Sequence, residues 1–465
     1  MRSRLVTICS TFVALFCLLA AQEMRVQVLD RARINARPGN PRHALRNESR
    51  GRLLDARGTP LAVSKGNRRM YPAGRSLAQT VGYASSLYGE SGLESAFDSV
   101  LSPEIAAAQN GTTLSAVLGA DRLDATSRGG DVVLTLRGDI AGLVDRAMPG
   151  GVRGAAIVLD PRTGAILAAV NRPTFDPNKL AEIWRTLHER ADAPLLNRSF
   201  DGLYPPGSTF KIVTASAALD TDTVAAGDVF DDPGYFSIGG YTVHNAEHEA
   251  TGNQTVARAF ALSSNVDFAQ IGLRLGVDRF YDYLRRFHVG DDSGVAFSTT
   301  RDDVPKAATI SQSELAQMAF GQGLAVTPLR MALVASAIAE GGLMMRPQLV
   351  KELRPPRGPL LQVPAEPWGR VSSKDTAATV HEMMLAVVRN GTGTAAQVPA
   401  FAVAGKTGTG THPGGAPDAW FVCYAPAQAP RLAVAIVVED AGYGGVVAAP
   451  IARTILTGAL PLYSH

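Results

Sequence analysis

A turn that leads into a helix at residues 205–211 constrains this 465-residue chain more than any other stretch. Pro205, Pro206 and Gly207 cannot continue a helix, whereas Ser208-Thr209-Phe210-Lys211 and the apolar residues that follow can enter one. The pattern predicts Ser208 at a helix N-terminus. Lys211 follows one turn later, on the same helical face.

A serine and a lysine in this arrangement can perform nucleophilic catalysis. A serine hydroxyl is a poor nucleophile at its ordinary pKa and needs a base within hydrogen-bonding distance. A lysine can be that base if burial or a neighbouring cation lowers its pKa. Taken alone, however, S-x-x-K is more often a capped helix with a surface lysine, so the interpretation needs support from elsewhere in the chain.

Two further motifs give that support. Ser263-Ser264-Asn265 is an S-x-N motif, and Lys406-Thr407-Gly408 is a K-T-G motif followed by Thr409. Each of the three motifs occurs once, and they follow the order S-x-x-K, S-x-N, K-T-G. Two of the few lysines fall inside them. Ser264, in contrast, is predicted only as a turn residue.

Composition excludes several other classes of protein. The hydrophobic content of 46% and the charged content of 19% are typical of a folded chain. A net charge of +3 without a basic and aromatic cluster argues against nucleic acid as a partner. Three cysteines do not form a disulfide framework, and no Cys or His pair has zinc-ligand spacing. A zinc site is therefore not expected.

The chain is predicted to begin with a membrane anchor. Residues 5–21 are uncharged and largely apolar, and as a helix they extend about 25 Å, the short end for crossing a bilayer. Arginines before this segment favour a cytoplasmic N-terminus and an exported body. A cleaved signal peptide is the alternative, because residues 20–22 loosely resemble a cleavage site. The predicted regions are a cytoplasmic tip at 1–4, the anchor at 5–22, an N-terminal module at 23–130 and a catalytic domain at 131–465.

The pattern along the catalytic domain predicts an α/β sheet covered by helices on both faces. A strand at 132–136 enters the domain, and a hairpin follows at 154–159 and 165–170. Helices flank Ser263-Ser264-Asn265 on both sides. Three more strands are predicted at 401–409, 419–424 and 432–438, with a closing helix at 446–457.

At the three motifs the sequence resembles the class B penicillin-binding proteins of the PbpA type, peptidoglycan D,D-transpeptidases of the penicilloyl serine transferase superfamily. Residues 154–161, 321–329 and 418–421 are further landmarks. The resemblance implies a transpeptidase/serine β-lactamase-like fold, with a mainly antiparallel central sheet covered by helices on both faces. It also implies a small N-terminal pedestal or dimerisation-like module and one transmembrane helix.

The resemblance assigns a role to each motif. Ser208 is the acylated nucleophile, Lys211 is its base, and Ser263 with Lys406 relays a proton to the leaving amine. The backbone N–H groups of Ser208 and Thr409 form an oxyanion hole. The implied substrate-binding residues hold the peptide amide and the terminal carboxylate, and they are Asn265, Thr407, Gly408 and Thr409.

The implied activity is the cross-linking of peptidoglycan stem peptides that end in D-Ala-D-Ala, with β-lactams as covalent inhibitors. The resemblance implies no metal ion and no organic cofactor. The protein is then a single-pass protein of the bacterial inner membrane with an extracytoplasmic catalytic domain. A membrane glycosyltransferase is the expected partner, docked on the module at 23–130, for which a passive spacer is the alternative.

Other activities remain open at the level of sequence. A D,D-carboxypeptidase on the same fold passes the acyl group to water and needs the same motifs. A class D β-lactamase is expected to carry S-x-V where this chain has S-x-N. A β-lactam sensor is the third alternative, and such sensors usually have several membrane helices.

Overall fold

The computed structural model describes residues 12–19, 22, 25, 50–102, 128–356 and 358–463. Its centre is a five-stranded sheet in which every neighbouring pair is antiparallel. In spatial order, the strands are Ala404–Gly410, Asp418–Ala425, Leu432–Val438, Gly154–Leu159 and Ile166–Arg172. All five were predicted from sequence. Two have the predicted ranges, and the ends of the other three differ by one to three residues.

Both faces of this sheet are covered. Every residue of Asp418–Ala425 and Leu432–Val438 is buried, and successive side chains of a strand point to opposite faces. The helices Pro328–Ala339 and Ala448–Tyr463 pack against these two strands, and Lys374–Asn390 packs against Ala404–Gly410. The predicted antiparallel sheet with helices on both faces is therefore confirmed.

The strand predicted at 132–136 is present, and it lies in a second sheet. It forms at Asp131–Leu134, where it pairs parallel with Leu53–Leu54 and antiparallel with Val350–Arg354. Local pattern predicts a strand but not its partner, so the sequence could not show this pairing. The complete second sheet has the order Leu361–Gln362, Val350–Arg354, Asp131–Leu134, Leu53–Leu54, Pro60–Lys65 and Arg68–Met70.

The remaining elements surround the two sheets. Four short antiparallel pairs join Ala84–Ser85 to Gly89–Glu90, Val229–Asp232 to Gly252–Thr255, Tyr235–Ile238 to Tyr241–His244, and Leu343–Met345 to Pro367–Arg370. Among the described residues from 50 onward, the other α-helices are Ala78–Val81, Gly92–Ala96, Asp98–Leu101, Gly138–Ala147, Leu180–Glu189, Arg198–Asp201, Lys211–Asp220, Val256–Leu262, Asn265–Leu275, Val277–Arg286 and Gln312–Ala319.

The N-terminal region is described only in part. Residues 12–19 are helical, whereas the predicted tip at 1–4 and much of the predicted anchor at 5–22 lie outside the described residues. No helix in the described portion of the chain combines the length and the apolar character needed to cross a membrane.

Candidate active site

Ser208 lies at the start of a helix, as the sequence predicts. A 3₁₀ turn, Gly207–Phe210, leads directly into the α-helix Lys211–Asp220. The turn requires glycine at position 207, where φ is +52° and a Cβ would lie 2.3 Å from the carbonyl oxygen of Thr409. Ser208 is partly exposed, whereas Lys211 is completely buried. The hydroxyl is therefore accessible while the amine is withdrawn from water.

The amine of Lys211 contacts four oxygen atoms, of which the most distant is Ser263 Oγ at 3.4 Å. Its Nζ lies 3.0 Å from Ser208 Oγ, 2.7 Å from the Ser263 carbonyl oxygen and 2.8 Å from Asn265 Oδ1. Burial holds the pKa of Lys211 well below its ordinary value, and the charge of Lys406 lowers that pKa further. A neutral amine has two N–H groups and one lone pair. The two carbonyl oxygens can only accept, so they take both N–H groups and leave the lone pair for the Ser208 hydroxyl.

Ser263 stands between the two lysines of the motifs. Lys406 Nζ donates to Ser263 Oγ at 2.9 Å and to the Thr407 carbonyl oxygen at 3.1 Å. Burial lowers the pKa of Lys406 to about 7. Ser263 ends the helix Val256–Leu262 in the left-handed region, with φ of +66°. Strained backbone of this kind in a residue other than glycine is concentrated at functional sites.

The K-T-G motif lies on the edge strand Ala404–Gly410, which runs beside the Ser208 turn. The two backbones approach closely at Gly408, where a Cβ would lie 2.6 Å from the carbonyl oxygen of Pro206. On the same strand, Thr407 Oγ1 is 2.6 Å from Thr392 Oγ1. The absence of a side chain at Gly408 is therefore what brings the strand next to the serine.

The motifs meet at one cavity of about 700 Å³. Six of the eight predicted site residues line it, namely Ser208, Ser263, Asn265, Thr407, Gly408 and Thr409. The other two, Lys211 and Lys406, are buried behind the lining and reach it through the hydrogen bonds to Ser208 and Ser263. The structure thus brings all eight residues together, although they are scattered over 202 positions of the chain.

Ser264 does more than the turn role predicted for it. Its hydroxyl donates to Asp232 Oδ2 at 2.7 Å and accepts from the backbone N–H of Asp267 at 3.0 Å, which caps the helix Asn265–Leu275. A serine followed three residues later by an acidic residue is an N-cap signal. That signal was present in the sequence and was missed.

Asn245 could not have been found from sequence. Its Oδ1 accepts from the backbone N–H of Asn265 at 2.8 Å, and its Nδ2 donates to Asp232 at 2.7 Å. It belongs to a polar segment that carries no motif, and only the tertiary structure brings it to the S-x-N turn. Asn245 and Asp232 thereby fix the orientation of that turn.

Two carboxylates lie behind the S-x-N turn. Burial raises the pKa of Asp267 to about 6, whereas hydrogen bonds from Thr251, Ser264 and Asn245 outweigh burial and lower the pKa of Asp232. Both carboxylates favour the charged form of Lys211, yet its burial and Lys406 outweigh them. The arrangement therefore favours a neutral lysine beside a serine hydroxyl, which is the requirement for a base.

Comparison with known proteins identifies the class to which this fold and these motifs belong. Residues 154–457 match the family described as "Penicillin binding protein transpeptidase domain". Residues 50–124 match a second family, described as "Penicillin binding protein A dimerisation domain". The chain therefore belongs to the penicillin-binding protein transpeptidase family.

Within this family the chain is of the PbpA type. It is 33% identical to the peptidoglycan D,D-transpeptidase PbpA of Mycolicibacterium smegmatis, and the alignment covers 99% of each protein. The PbpA of Mycobacterium tuberculosis is also 33% identical, with 99% of each protein covered.

Solved structures agree with this assignment. The D,D-transpeptidase domain of a peptidoglycan glycosyltransferase from Eggerthella lenta superposes with a TM-score of 0.80 and 34% identity, over 90% of this chain and 99% of that one. The ceftriaxone acyl-enzyme of penicillin-binding protein A from M. tuberculosis superposes with a TM-score of 0.78 and 30% identity, over 89% of this chain and 99% of that one.

Proposed function

We propose that this protein is a serine-type peptidoglycan D,D-transpeptidase, and that β-lactams acylate it at Ser208. The observation that carries the proposal is the 3.0 Å contact between Ser208 Oγ and the buried amine of Lys211. Family membership supports the reaction class, and the geometry of the motifs supports the roles of individual residues.

Acylation begins when Lys211 accepts the proton of the Ser208 hydroxyl. Ser208 Oγ then attacks the carbonyl carbon of the peptide bond between the two D-alanines. The backbone N–H groups of Ser208 and Thr409 stabilise the oxyanion, and losing one such donor typically costs about 100- to 1,000-fold in rate. The C–N bond then breaks. The leaving D-alanine receives its proton through Ser263, which Lys406 contacts at 2.9 Å.

The S-x-N and K-T-G motifs bind the substrate. Asn265 holds the peptide amide of the donor stem, and the hydroxyls of Thr407 and Thr409 hold its terminal carboxylate. Gly408 keeps the strand close enough to Ser208 for these contacts. An amine of a neighbouring stem then attacks the acyl-enzyme, which forms the cross-link and frees Ser208.

The proposal also covers the predicted regions that precede the catalytic domain at 131–465. Residues 5–22 anchor the protein in the bacterial inner membrane, with 1–4 in the cytoplasm and the catalytic domain outside. The support for this is the uncharged, largely apolar sequence of 5–21 and the arginines before it. The module at 23–130 docks a membrane glycosyltransferase, since its surplus of arginine is typical of interfaces.

A chimera tests the docking role. A chimera in which an unrelated folded spacer replaces 23–130, and which still labels with penicillin, is expected to have no function in the cell. The module also contacts the body of the protein, since Gln79 Nε2 donates to the Pro194 carbonyl oxygen at 2.8 Å. Labelling therefore serves as the check that the chimera folds. A labelled chimera that still supports growth would show that the module is only a stalk.

The activity is tested by a product assay with anchor-less protein and a pentapeptide donor. Addition of an amine acceptor should yield the amide product together with free D-alanine, and Ser208→Ala should yield neither. Release of D-alanine without any amide product would instead indicate a carboxypeptidase. Acylation without turnover would indicate a sensor.

A further inference from the structure

The cavity around Ser208 is lined almost entirely by uncharged side chains. In the part of the chain that the structure describes, Glu249 is the only acidic or basic residue that lines the cavity. Its side chain is exposed, and none of the ion pairs between described residues involves it. A single acidic residue thus lines a cavity whose other polar groups are hydroxyls, amides and backbone.

The position of Glu249 is fixed without its carboxylate. Asn245 Nδ2 donates to the Glu249 carbonyl oxygen at 2.9 Å, and Asn245 Oδ1 accepts from the backbone N–H of Asn265 at 2.8 Å. The segment that carries Glu249 is therefore hydrogen-bonded to the S-x-N turn. Because the backbone does the anchoring, the carboxylate is available for a ligand.

The proposed reaction brings a cation to this cavity. The acceptor is a primary amine, which is almost entirely an ammonium ion at neutral pH. Its approach to the acyl-enzyme is opposed by positive charge on Lys406, which lies behind Ser263. A carboxylate on the cavity wall offsets that repulsion and raises the local concentration of the ammonium form.

We propose that Glu249 binds the amine of the acceptor stem peptide. The inference rests on the proposed transpeptidase function and adds the residue that recognises the second substrate. It concerns the acceptor alone. The donor is held by Asn265 and the K-T-G strand, and its carboxylate terminus would be repelled by Glu249.

Aminolysis of the acyl-enzyme consumes the bound ammonium ion and regenerates Ser208. The ammonium ion bound by Glu249 releases one proton to water, and the neutral amine attacks the carbonyl carbon of the ester on Ser208 Oγ. A C–N bond forms and the C–Oγ bond breaks. The second proton of the amine passes through Lys211 to Ser208 Oγ, so the serine is regenerated and the product is a neutral amide.

The test compares aminolysis with hydrolysis of one acyl-enzyme. Anchor-less protein receives a thioester donor with blocked amino groups, and the acceptor is a lysine derivative whose only free amine is that of the side chain. Glu249→Gln should lower kcat/KM for this amine about twofold to fivefold, through KM. Hydrolysis by water should change by less than about twofold, because it involves no cation, and acylation by the donor should not slow.

Three comparisons sharpen the test. Glu249→Asp should retain part of the acceptor preference, and high salt should reduce the difference between wild type and Glu249→Gln because it screens the charge. Glu182→Gln removes an exposed carboxylate on the helix Leu180–Glu189, which does not line the cavity, and should change nothing. Penicillin labelling confirms that each variant is folded.

Unchanged aminolysis in Glu249→Gln would overturn the inference. Slower acylation by the donor would overturn it as well, because that result would place Glu249 on the donor side. If the wild-type protein itself forms no amide product, the proposed function fails and the inference fails with it, whereas a loss confined to Glu249→Gln supports both.

Discussion

At the scale of single residues, the chemistry of the site is set by two buried lysines that both contact Ser263. Lys211 and Lys406 are both completely buried. Lys211 Nζ lies 2.7 Å from the Ser263 carbonyl oxygen and 3.4 Å from its hydroxyl, and Lys406 Nζ lies 2.9 Å from the same hydroxyl. Burial disfavours charge on each, and charge on Lys406 further disfavours charge on Lys211. The lowered pKa that lets Lys211 act as a base therefore comes from its burial and from Lys406.

This coupling predicts the pH dependence of a variant. Lys211 must be neutral to accept a proton, so acylation is fast above its pKa in the folded protein and is lost as the pH falls through that value. Lys406→Met removes a charge that lowers the pKa of Lys211. The acid limb of the acylation rate, measured with a fluorescent penicillin, should therefore move to higher pH, in addition to any loss of overall rate.

The control for this measurement is Lys351→Met, which removes an exposed lysine on the strand Val350–Arg354. Its acid limb should match that of the wild-type protein. An acid limb that stayed in place in Lys406→Met, or moved to lower pH, would contradict the proposed coupling.

At the scale of elements, the sequence predicted what local pattern encodes. The Ser208 helix, the helices around the S-x-N turn and all five central strands followed from apolar runs and from glycine and proline. The pairing of Asp131–Leu134 with Leu53–Leu54 did not follow, because a strand pattern does not specify its partner. The same holds for Asn245, whose contact with Asn265 depends on the tertiary structure alone.

The contact between the Ser208 turn and the loop at 321–323 gives a prediction at this scale. Gly321 has φ of +85°, and a Cβ there would lie 2.0 Å from the Gly207 carbonyl oxygen. Gly321→Ala should push the turn away from its position, lower the rate of penicillin acylation at least about tenfold and cost about 1–3 kcal/mol of stability.

Gly323→Ala is the matched control, because Gly323 has φ of +74° in the same loop and the nearest atom to its Cβ is 4.0 Å away. It should cost about 1 kcal/mol of stability through backbone strain and leave acylation nearly unchanged. Equal acylation rates in the two variants would show that the close approach does not position Ser208.

At the scale of the whole molecule, the N-terminal module and the body share one sheet. Asp131–Leu134 lies between Leu53–Leu54 and Val350–Arg354, so hydrogen bonds continue from one part into the other. Within the module, the buried Glu94 accepts from Arg50 at 2.8 Å and from Arg69 at 2.7 Å. Loss of this carboxylate would leave two buried guanidinium groups without their shared counter-charge.

Glu94→Ala should therefore destabilise the whole protein and not the module alone. A broken buried ion pair typically costs about 3–5 kcal/mol. In calorimetry of the anchor-less protein we expect one unfolding transition, shifted to lower temperature in Glu94→Ala, and penicillin labelling should be lost at that same lower temperature. Two transitions, with labelling tied to an unshifted one, would show that the parts unfold independently.

Identification of the acylated residue is the most direct test of Ser208 as the nucleophile. Anchor-less protein is incubated with a labelled penicillin, digested, and the labelled peptide is mapped by mass spectrometry. The label should lie on Ser208, and Ser208→Ala should be folded and unlabelled. Lys211→Ala should still bind penicillin but should acylate several orders of magnitude more slowly, because base and nucleophile act as a unit. A label on any other residue, or labelling that persists in Ser208→Ala, would contradict the assignment of Ser208 as the nucleophile.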